Sequence, residues 1–322
     1  MTTSLLFLAG FFLLIKGADL LVEGASALAK SFRIPALVIG LTIVAFGTSA
    51  PELMVNIIAS AKGNTDLAIS NVVGSNIANI LLILGVSAVI YPISAKRSTI
   101  WKEVPFALLA VIALFILLND RLFDGITATQ LSRGDALVLM LFFAIFLVYI
   151  FELARLGKIE IPQEEKPIKS HSGWVLGGMI FAGLIGLVLG GKWIVDGAIF
   201  FAKAWGVSET LIGLTIVAVG TSLPELATSV VAALKRHSDI AIGNIVGSNI
   251  FNIFFILGVS GMIHPIPFSE AINQDITVML LATFVLFLSI AHNKKNNTIT
   301  RIEGVIFVLL YVFYVLYLIR RG

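Results

Sequence analysis

The chain has 322 residues, of which 58% are hydrophobic and 13% are charged, and its mean hydropathy is +1.01. A soluble domain carries about 25% charged residues, so this composition indicates a protein that crosses a membrane several times. The net charge of +3 is typical of basic loops beside a membrane and does not indicate a nucleic-acid-binding surface. The absence of cysteine excludes a disulfide framework, a thiol nucleophile and a thiolate metal site.

Ten apolar runs have about the 20-residue length that crosses a bilayer, and they centre near residues 15, 49, 80, 110, 145, 187, 222, 253, 282 and 310. The first run lacks the basic segment of a cleaved signal peptide, so we predict that it is retained. The most polar connection separates the fifth run from the sixth. We therefore predict an all-α polytopic membrane protein with a five-helix half at 1–157, a cytoplasmic linker at 158–172 and a second five-helix half at 173–322.

The lysines and arginines are distributed unevenly between the two sides that ten spans create. Fourteen fall in the loops of one side, called the basic face below, and six fall on the other side, called the opposite face. The positive-inside rule then predicts a protein of the cell membrane with its basic face in the cytoplasm and both termini outside. Because five is an odd number of spans, the two halves enter the membrane from opposite sides and form inverted repeats.

Two stretches of the chain occur twice at a constant offset of 173 residues. Residues 39–53 and 212–226 are identical at 13 of 15 positions, and residues 66–93 and 239–266 at 19 of 28. Each copy of the first stretch places a glutamate, Glu52 or Glu225, directly after a proline within an apolar run. A charged residue at the bilayer centre costs about 2.5–3.5 kcal/mol on insertion scales, and no lysine or arginine recurs beside these glutamates. A functional role is therefore favoured over a structural one.

Helical spacing places further polar groups beside each glutamate. Ala45, Thr48, Ser49 and Glu52 share one helix face, and the proline before Glu52 predicts a kink. In the third and eighth runs, three polar residues spaced by four share a face: Asn71, Ser75 and Asn79, and likewise Asn244, Ser248 and Asn252. These segments offer oxygen but neither sulfur nor imidazole. Such ligands suit Ca²⁺ better than zinc or copper.

Some of these polar residues have a second interpretation, because asparagine, serine and threonine in membrane helices often hydrogen-bond a neighbouring helix. Both interpretations stay open for Asn71, Asn76, Asn244 and Asn249. Ligation is favoured for Ser75, Ser248, Asn79 and Asn252, and packing for Thr42 and Thr215. In the first and sixth runs, the acids Asp19, Glu23 and Asp196 either line an entry path or pair with lysines at a helix end.

The doubled motifs resemble the cation/calcium exchanger superfamily, in particular its prokaryotic sodium/calcium antiporters. The resemblance rests on GTSxPE at 47–52 and 220–225 and on GSNIxNI at 74–80 and 247–253, and it extends over essentially the whole chain. It implies ten spans in two inverted halves and exchange of Ca²⁺ for Na⁺. It also implies that the first and sixth helices slide across the other eight to switch access.

The resemblance further implies a set of ligands. Glu52 and Glu225 would bind Ca²⁺ and Na⁺ in alternation, and Thr48 and Thr221 would supply calcium ligands. The sodium ligands would come from the side chains of Ser49, Ser222, Ser75 and Ser248 and from the backbone carbonyls of Ala45 and Ala218. Some members of the family carry aspartate at the position of Asn252, so this chain has one titratable group fewer there.

We predict a secondary antiporter that exchanges Ca²⁺ for Na⁺ by alternating access at a midplane site formed by the two glutamates. The alternatives are an H⁺/Ca²⁺ antiporter of the same fold and, less favoured, a passive cation channel. The four histidines fall in or beside loops and there is no cysteine, so an enzyme is not expected. The expected partners are Ca²⁺, Na⁺ or H⁺ and the lipid bilayer, without nucleic acid or cofactor, and the protein is expected to be a monomer.

Overall fold

The computed structural model describes residues 2–63, 66–96, 99–119, 130–156, 172–205, 218–268, 271–292 and 297–321. Most of these residues are helical, as the sequence predicts. The predicted linker at 158–172 lies outside the described residues except for residue 172, and so do residues 206–217 at the start of the predicted seventh span.

The described helices are numbered α1 to α12. In chain order they are Thr2–Phe32, Ala36–Thr48, Ala50–Ala61, Ala68–Ile90, Trp101–Leu118, Arg133–Leu156, Gly173–Ala204, Ala218–Thr221, Leu223–Leu234, Ser238–Ile263, Ile272–His292 and Arg301–Arg321. Eight of them are long and apolar enough to cross a membrane, and α2 with α3 makes a ninth span across a bend of 47°. The short helices α8 and α9 are the described part of the predicted seventh span.

Two of the spanning helices, α4 and α10, form the centre of the molecule. The most apolar window of α10 is 94% buried and that of α4 is 72% buried, whereas the window of α12 is only 11% buried. Apolar side chains on the outer helices face outward, for example Phe313 and Val148. A helix satisfies its own backbone hydrogen bonds, so such helices are stable against lipid.

Both central helices widen into π-helical turns at equivalent positions. The widened turns run from Ala78 to Leu84 in α4 and from Phe251 to Ile256 in α10. The first residues of the two turns are 173 positions apart in the chain. Asn79 and Asn252 are the second residues of these turns. Widened turns recur at functional sites because they change the direction in which later side chains point.

Two short antiparallel ribbons, which the all-α prediction did not include, join the two halves. Strand β1 (Ile93–Ser94) pairs with β4 (Thr298–Ile299), and β2 (Gln130–Leu131) pairs with β3 (Ile266–Pro267). Helix α5 lies between β1 and β2 in the chain, so the ribbons lie at opposite ends of that helix. Each ribbon takes one strand from either side of the predicted linker.

Helices α1 and α7 approach each other closely along glycines. A Cβ atom on Gly17 would lie 2.7 Å from the backbone nitrogen of Leu187, and one on Gly190 would lie 2.6 Å from that of Leu14. Contacts this short are not tolerated, so glycine is required where the two backbones meet. Gly17 and Gly190 are themselves 173 residues apart.

Polar contacts near α1 bear on two of the open interpretations. The ammonium nitrogen of Lys235 lies 2.5 Å from the Asp19 carboxylate and 3.7 Å from that of Glu23. These two acids therefore pair with a lysine at a helix end, as one of the two interpretations holds. The Thr42 hydroxyl donates to the carbonyl of Val38 at 2.6 Å, which fits a packing role, whereas Thr215 lies outside the described residues.

Candidate cation site

The site forms where two helices break at equivalent serines. Ser49 separates α2 from α3 with φ −83° and ψ 9°, and Ser222 separates α8 from α9 with φ −88° and ψ 8°. Pro51 and Pro224 occupy the second position of the following helices, where a missing N–H leaves no helical hydrogen bond unmade. The kink predicted from the proline is therefore confirmed in the first copy by the 47° bend.

The breaks place each glutamate in the first turn of a helix, where the helix dipole stabilises negative charge. Each carboxylate then receives a hydrogen bond from the serine of the other copy. Ser49 Oγ donates to Glu225 Oε1 at 2.8 Å, and Ser222 Oγ donates to Glu52 Oε1 at 3.2 Å. Each half thus donates a hydrogen bond to the glutamate of the other half.

The serine of each GSNIxNI motif extends one of these two serine–glutamate contacts. Ser248 Oγ lies 3.0 Å from Ser49 Oγ, and Ser75 Oγ lies 3.4 Å from Ser222 Oγ. Ser248 Oγ also lies 3.4 Å from the carbonyl oxygen of Ala45, which is one turn before Ser49. The backbone oxygen of Ala45 therefore points into the cluster of side chains.

The threonines lie on the flanks of the cluster. Thr48 Oγ1 donates to Asn244 Oδ1 at 3.0 Å, and Asn244 Nδ2 donates in turn to Ser229 Oγ at 3.0 Å. Thr221 lies beside the Glu52 carboxyl. Asn244 therefore takes the structural role that the sequence left open, by fixing the position of Thr48.

Four asparagines from α4 and α10 form a reciprocal network across the two halves. Asn79 Nδ2 donates to Asn249 Oδ1 at 2.9 Å, and Asn252 Nδ2 donates to Asn76 Oδ1 at 2.9 Å. Asn76 Nδ2 also donates to the carbonyl of Asn249 at 3.1 Å. These bonds fix the amides of Asn79 and Asn252 with their nitrogens committed and their oxygens free.

Among the predicted ligands, four buried oxygens have no hydrogen-bond partner within the described residues: Glu52 Oε2, Glu225 Oε2, Asn79 Oδ1 and Asn252 Oδ1. They form two pairs related by the 173-residue offset. A buried polar atom without a partner costs about 1–3 kcal/mol, and all four of these atoms are acceptors. The arrangement suits a positively charged group that the chain itself does not provide.

The side chains around these oxygens exclude both lipid and bulk water. The predicted side-chain ligands are at most 3% exposed, with the exception of the partly buried Thr221, and both glutamates are 1% exposed. Within the described part of the chain, neither glutamate forms an ion pair with lysine, arginine or histidine. A buried negative charge without a counter-ion is unfavourable, which again points to a cation.

The structure brings together most of the residues that the sequence singled out. The hydrogen bonds join them in two groups, and each group crosses the halves: Ser49 with Glu225 and Ser248, and Ser222 with Glu52 and Ser75. The amides of Asn79 and Asn252 follow one turn along α4 and α10. Ala218 begins α8, and no contact of its carbonyl is described. Sequence reasoning missed Asn56, which lies one helical turn after Glu52. Its four-residue spacing from that glutamate was the available signal.

Comparison with known proteins gives a consistent result over the whole chain. The sequence profile of the family described as "Sodium/calcium exchanger protein" matches residues 2–152 and 175–320. The chain is 39% identical over 95% of its length to the putative antiporter CaxA of Alkalimonas amylolytica, covering 95% of that protein. It is 34% identical over 98% of its length to the sodium/calcium exchanger MaX1 of Methanosarcina acetivorans, covering 97% of it.

Solved structures give the same result for the fold. The chain matches a structure of the sodium-calcium exchanger NCX_Mj soaked with 2.5 mM Na⁺ and 1 mM Sr²⁺ with a TM-score of 0.82 and 33% identity, covering 98% of each chain. A second structure of NCX_Mj, soaked with 10 mM Na⁺ without Ca²⁺, matches with a TM-score of 0.81. At this identity and coverage, the chain shares the fold of that exchanger.

Proposed function

Because the chain belongs to the sodium/calcium exchanger family, we propose that it is a secondary active antiporter that exchanges Ca²⁺ for Na⁺ at the site between Glu52 and Glu225. The single observation that carries this proposal is the set of four buried acceptor oxygens without partners, two from glutamates and two from asparagines. Hard cations such as Ca²⁺ and Na⁺ take oxygen ligands of this kind. Two relatives that match over nearly the whole chain are named a putative antiporter and a sodium/calcium exchanger.

Charge balance explains how one site can couple two ions. A single Ca²⁺ neutralises the two carboxylates, and two Na⁺ ions do the same, so the two loads compete for the same oxygens. An empty site holding two bare carboxylates is costly to carry through a low-dielectric interior. The site therefore changes its accessible side when loaded, which prevents uncoupled leak.

We assign the ligands in two groups. Thr48 and Thr221 join the glutamates around Ca²⁺. The sodium positions use Ser49, Ser222, Ser75 and Ser248, the carbonyls of Ala45 and Ala218, and the amide oxygens of Asn79 and Asn252. The contacts of Ser49 and Ser222 with the glutamate of the other half support this division, since each serine lies between a carboxylate and a further hydroxyl.

We also propose ten spans in two inverted halves, 1–157 and 173–322, with the linker 158–172 in the cytoplasm and both termini outside. Three features repeat at the 173-residue offset and support this arrangement: the break at the serine, the widened helical turn and the close glycine contact. The ribbons support it as well, because β1 and β3 occupy equivalent positions but lie at opposite ends of α5. The protein is proposed to function as a monomer.

Vesicle flux tests the proposed exchange. Purified protein in sealed vesicles should accumulate Ca²⁺ against its gradient when a Na⁺ gradient is imposed. Accumulation driven only by a pH gradient would instead identify H⁺ as the counter-ion, and movement only down the Ca²⁺ gradient would identify a channel. Either of these results would overturn Na⁺-coupled antiport.

Replacement of Glu52 by glutamine tests the central residue. Glu52→Gln keeps the shape of the side chain and removes its charge, so we expect Na⁺-driven Ca²⁺ uptake to fall at least about a hundredfold, equivalent to about 2.7 kcal/mol. Glu152→Gln is the matched control, since Glu152 is an exposed residue of α6, and it should leave uptake unchanged. Unimpaired uptake by Glu52→Gln would remove Glu52 from the mechanism.

A further inference from the structure

Helix α3 carries a line of polar residues that continues beyond the proposed site. Glu52, Asn56 and Ser60 are spaced by four and therefore share one helix face, and they are 1%, 0% and 1% exposed. On the other side of the same helix, Met54 and Ile58 are 56% and 47% exposed. The polar line, called the α3 stripe below, thus faces the interior of the protein.

Every member of the α3 stripe has an oxygen that lacks a hydrogen-bond partner within the described residues: Glu52 Oε2, Asn56 Oδ1 and Ser60 Oγ. The amide of Asn56 is fixed, because its Nδ2 donates to the carbonyl of Glu52 at 2.8 Å. The atom of this amide that remains without a partner among the described residues is therefore Oδ1. Since a buried acceptor without a partner is unfavourable, three of them in line indicate a partner that is not part of the chain.

The α3 stripe leads from the proposed site towards one face. Helix α3 starts after the break at Ser49 and ends at Ala61, directly before Lys62 of the opposite face. With a rise of about 1.5 Å per residue, Ser60 lies about 12 Å along the helix axis from Glu52. The free oxygens therefore cover most of the distance between the buried glutamate and the end of the helix.

The second half has no equivalent line. On α9, the position that matches Asn56 is Ser229, whose hydroxyl accepts a hydrogen bond from Asn244. The position that matches Ser60 is Ala233, which has no side-chain oxygen. One hydroxyl without a partner, that of Thr228, lies one turn beyond Glu225, and the line ends there.

We propose that the oxygens of Asn56 and Ser60 form a relay site, at which a partly dehydrated cation rests on its way between Glu52 and the opposite face. This inference rests on the proposed function, and it adds a second binding position outside the ligands assigned above. Neutral oxygens can replace part of the hydration shell of a cation and still let it leave, as transit requires. The charge of Glu52 attracts a cation along the α3 stripe and repels an anion.

Single cysteines test whether water and ions reach the relay site, because the chain has no cysteine of its own. Ser60→Cys would be treated from each face of sealed vesicles with a positively charged, membrane-impermeant methanethiosulfonate. Ala233→Cys is the matched control, since it occupies the equivalent position in the second half and is equally buried.

We expect Ser60→Cys to react only from the opposite face, at least about tenfold faster than Ala233→Cys reacts from the basic face, a difference of about 1.4 kcal/mol in barrier. Ca²⁺ should slow this reaction, and the charged adduct should block exchange. A thiol at position 60 that does not react from the opposite face, or that reacts equally with and without Ca²⁺, overturns the relay site.

A second experiment distinguishes a relay site from a direct ligand of the central site. Asn56→Leu replaces the amide by an apolar group with the same branching of heavy atoms, and Ser60→Ala removes only the hydroxyl. A relay position changes how fast ions reach the glutamates and not how tightly the glutamates hold them. We therefore expect Ca²⁺ uptake below saturation to fall about tenfold, while equilibrium Ca²⁺ binding to the purified variants stays within about twofold.

A loss of equilibrium binding that matches the loss of rate would overturn the relay site and place Asn56 in the central site instead. Ca²⁺ flux by the unmodified protein distinguishes a failure of the proposed function from a failure of the relay site. If that protein moves no Ca²⁺ in response to a Na⁺ gradient, the antiport proposal fails, whereas the cysteine reaction of Ser60→Cys still reports whether the path is open.

Discussion

Asn76 and Asn249 hold the amides of Asn79 and Asn252 in one orientation. Each amide has two similar ends, and only its hydrogen bonds decide whether oxygen or nitrogen faces the site. The bonds to Asn249 and Asn76 occupy the nitrogens. Two uncharged residues thus decide that Asn79 and Asn252 present oxygen to the proposed site rather than N–H groups, which would repel a cation.

Replacement of Asn76 by alanine should therefore weaken both the fold and the site. Asn76→Ala leaves Asn252 Nδ2 without its acceptor in a fully buried position, and we expect a loss of about 1–3 kcal/mol in the free energy of unfolding. Thermal unfolding in detergent measures this loss. Asn119→Ala is the control, because the Asn119 amide pairs with Asn273 in a partly exposed position. An equal effect of both variants would contradict the role given to Asn76.

His237 makes stability depend on pH at the basic face. Burial, together with the nearby charges of Lys235 and Lys30, lowers the pKa of His237 in the folded protein. The folded state therefore binds the proton more weakly than the unfolded state, whose histidine pKa is about 6.5. The resulting stabilisation is present above about pH 6.5 and is lost as the pH falls below it.

His237→Gln, which cannot take a proton, should remove this dependence. We expect the melting temperature of the unmodified protein to fall between about pH 7 and about pH 5, and that of the variant to fall less. Thermal melts of both proteins at matched ionic strength provide the comparison. If both proteins lose the same stability on acidification, His237 is not the responsible group.

At the scale of helices, sequence and structure agree wherever a local rule operates. The proline of each motif predicts the break, and the apolar runs predict the eight described spans and the bent ninth. In both cases the cause acts on a single segment, because it is a missing N–H or the thickness of the bilayer. The widened turns and the two-residue ribbons depend on neighbouring segments and carry no periodic pattern. The orientation of the Asn79 and Asn252 amides was equally unpredictable from sequence, because partners from the other half determine it.

The close contact between α1 and α7 is the clearest case for a test of a single helix pair. Gly17→Ala would place a methyl group 2.7 Å from a backbone nitrogen of Leu187, so the two helices must separate. We expect a loss of about 1–3 kcal/mol in stability, measured by thermal unfolding in detergent. Gly177→Ala on α7 is the control, since no atom lies within 4 Å of its new Cβ.

The control should be neutral or should stabilise the helix by up to about 1 kcal/mol. If Gly17→Ala behaves like Gly177→Ala, the two helices are not held together by this contact. Because α1 and α7 meet backbone to backbone, a movement of one across the rest of the protein should carry the other with it.

At the scale of the molecule, many non-covalent contacts join the two halves in addition to the single covalent linker. The ribbons, the serine–glutamate bonds, the asparagine network and the α1–α7 contact all join residues before 157 to residues after 172. The sequence predicted two related halves and a shared site from the doubled motifs. It did not predict the ribbons or the Asn76–Asn249 contacts, whose partners are far apart in the chain.

A chain interrupted within 158–172 should therefore still assemble. Two co-expressed fragments, 1–157 and 173–322, should co-purify through a tag on one of them and retain Ca²⁺ exchange, since the contacts that hold the halves together do not depend on the linker. Either fragment expressed alone serves as the control and should not exchange Ca²⁺. Fragments that fail to co-purify would show that the linker is needed for assembly.

The two ribbons have a consequence for how such a protein could have originated. Each half contributes one strand to each ribbon, and the hydrogen-bond partner of that strand comes from the other half. In the proposed inverted arrangement, an ancestor with only five helices would form both strand pairs with an identical copy inserted into the membrane in the opposite orientation. Fusion of two such copies into one chain then allows each to change separately, as the difference between Asn56 and Ser229 illustrates.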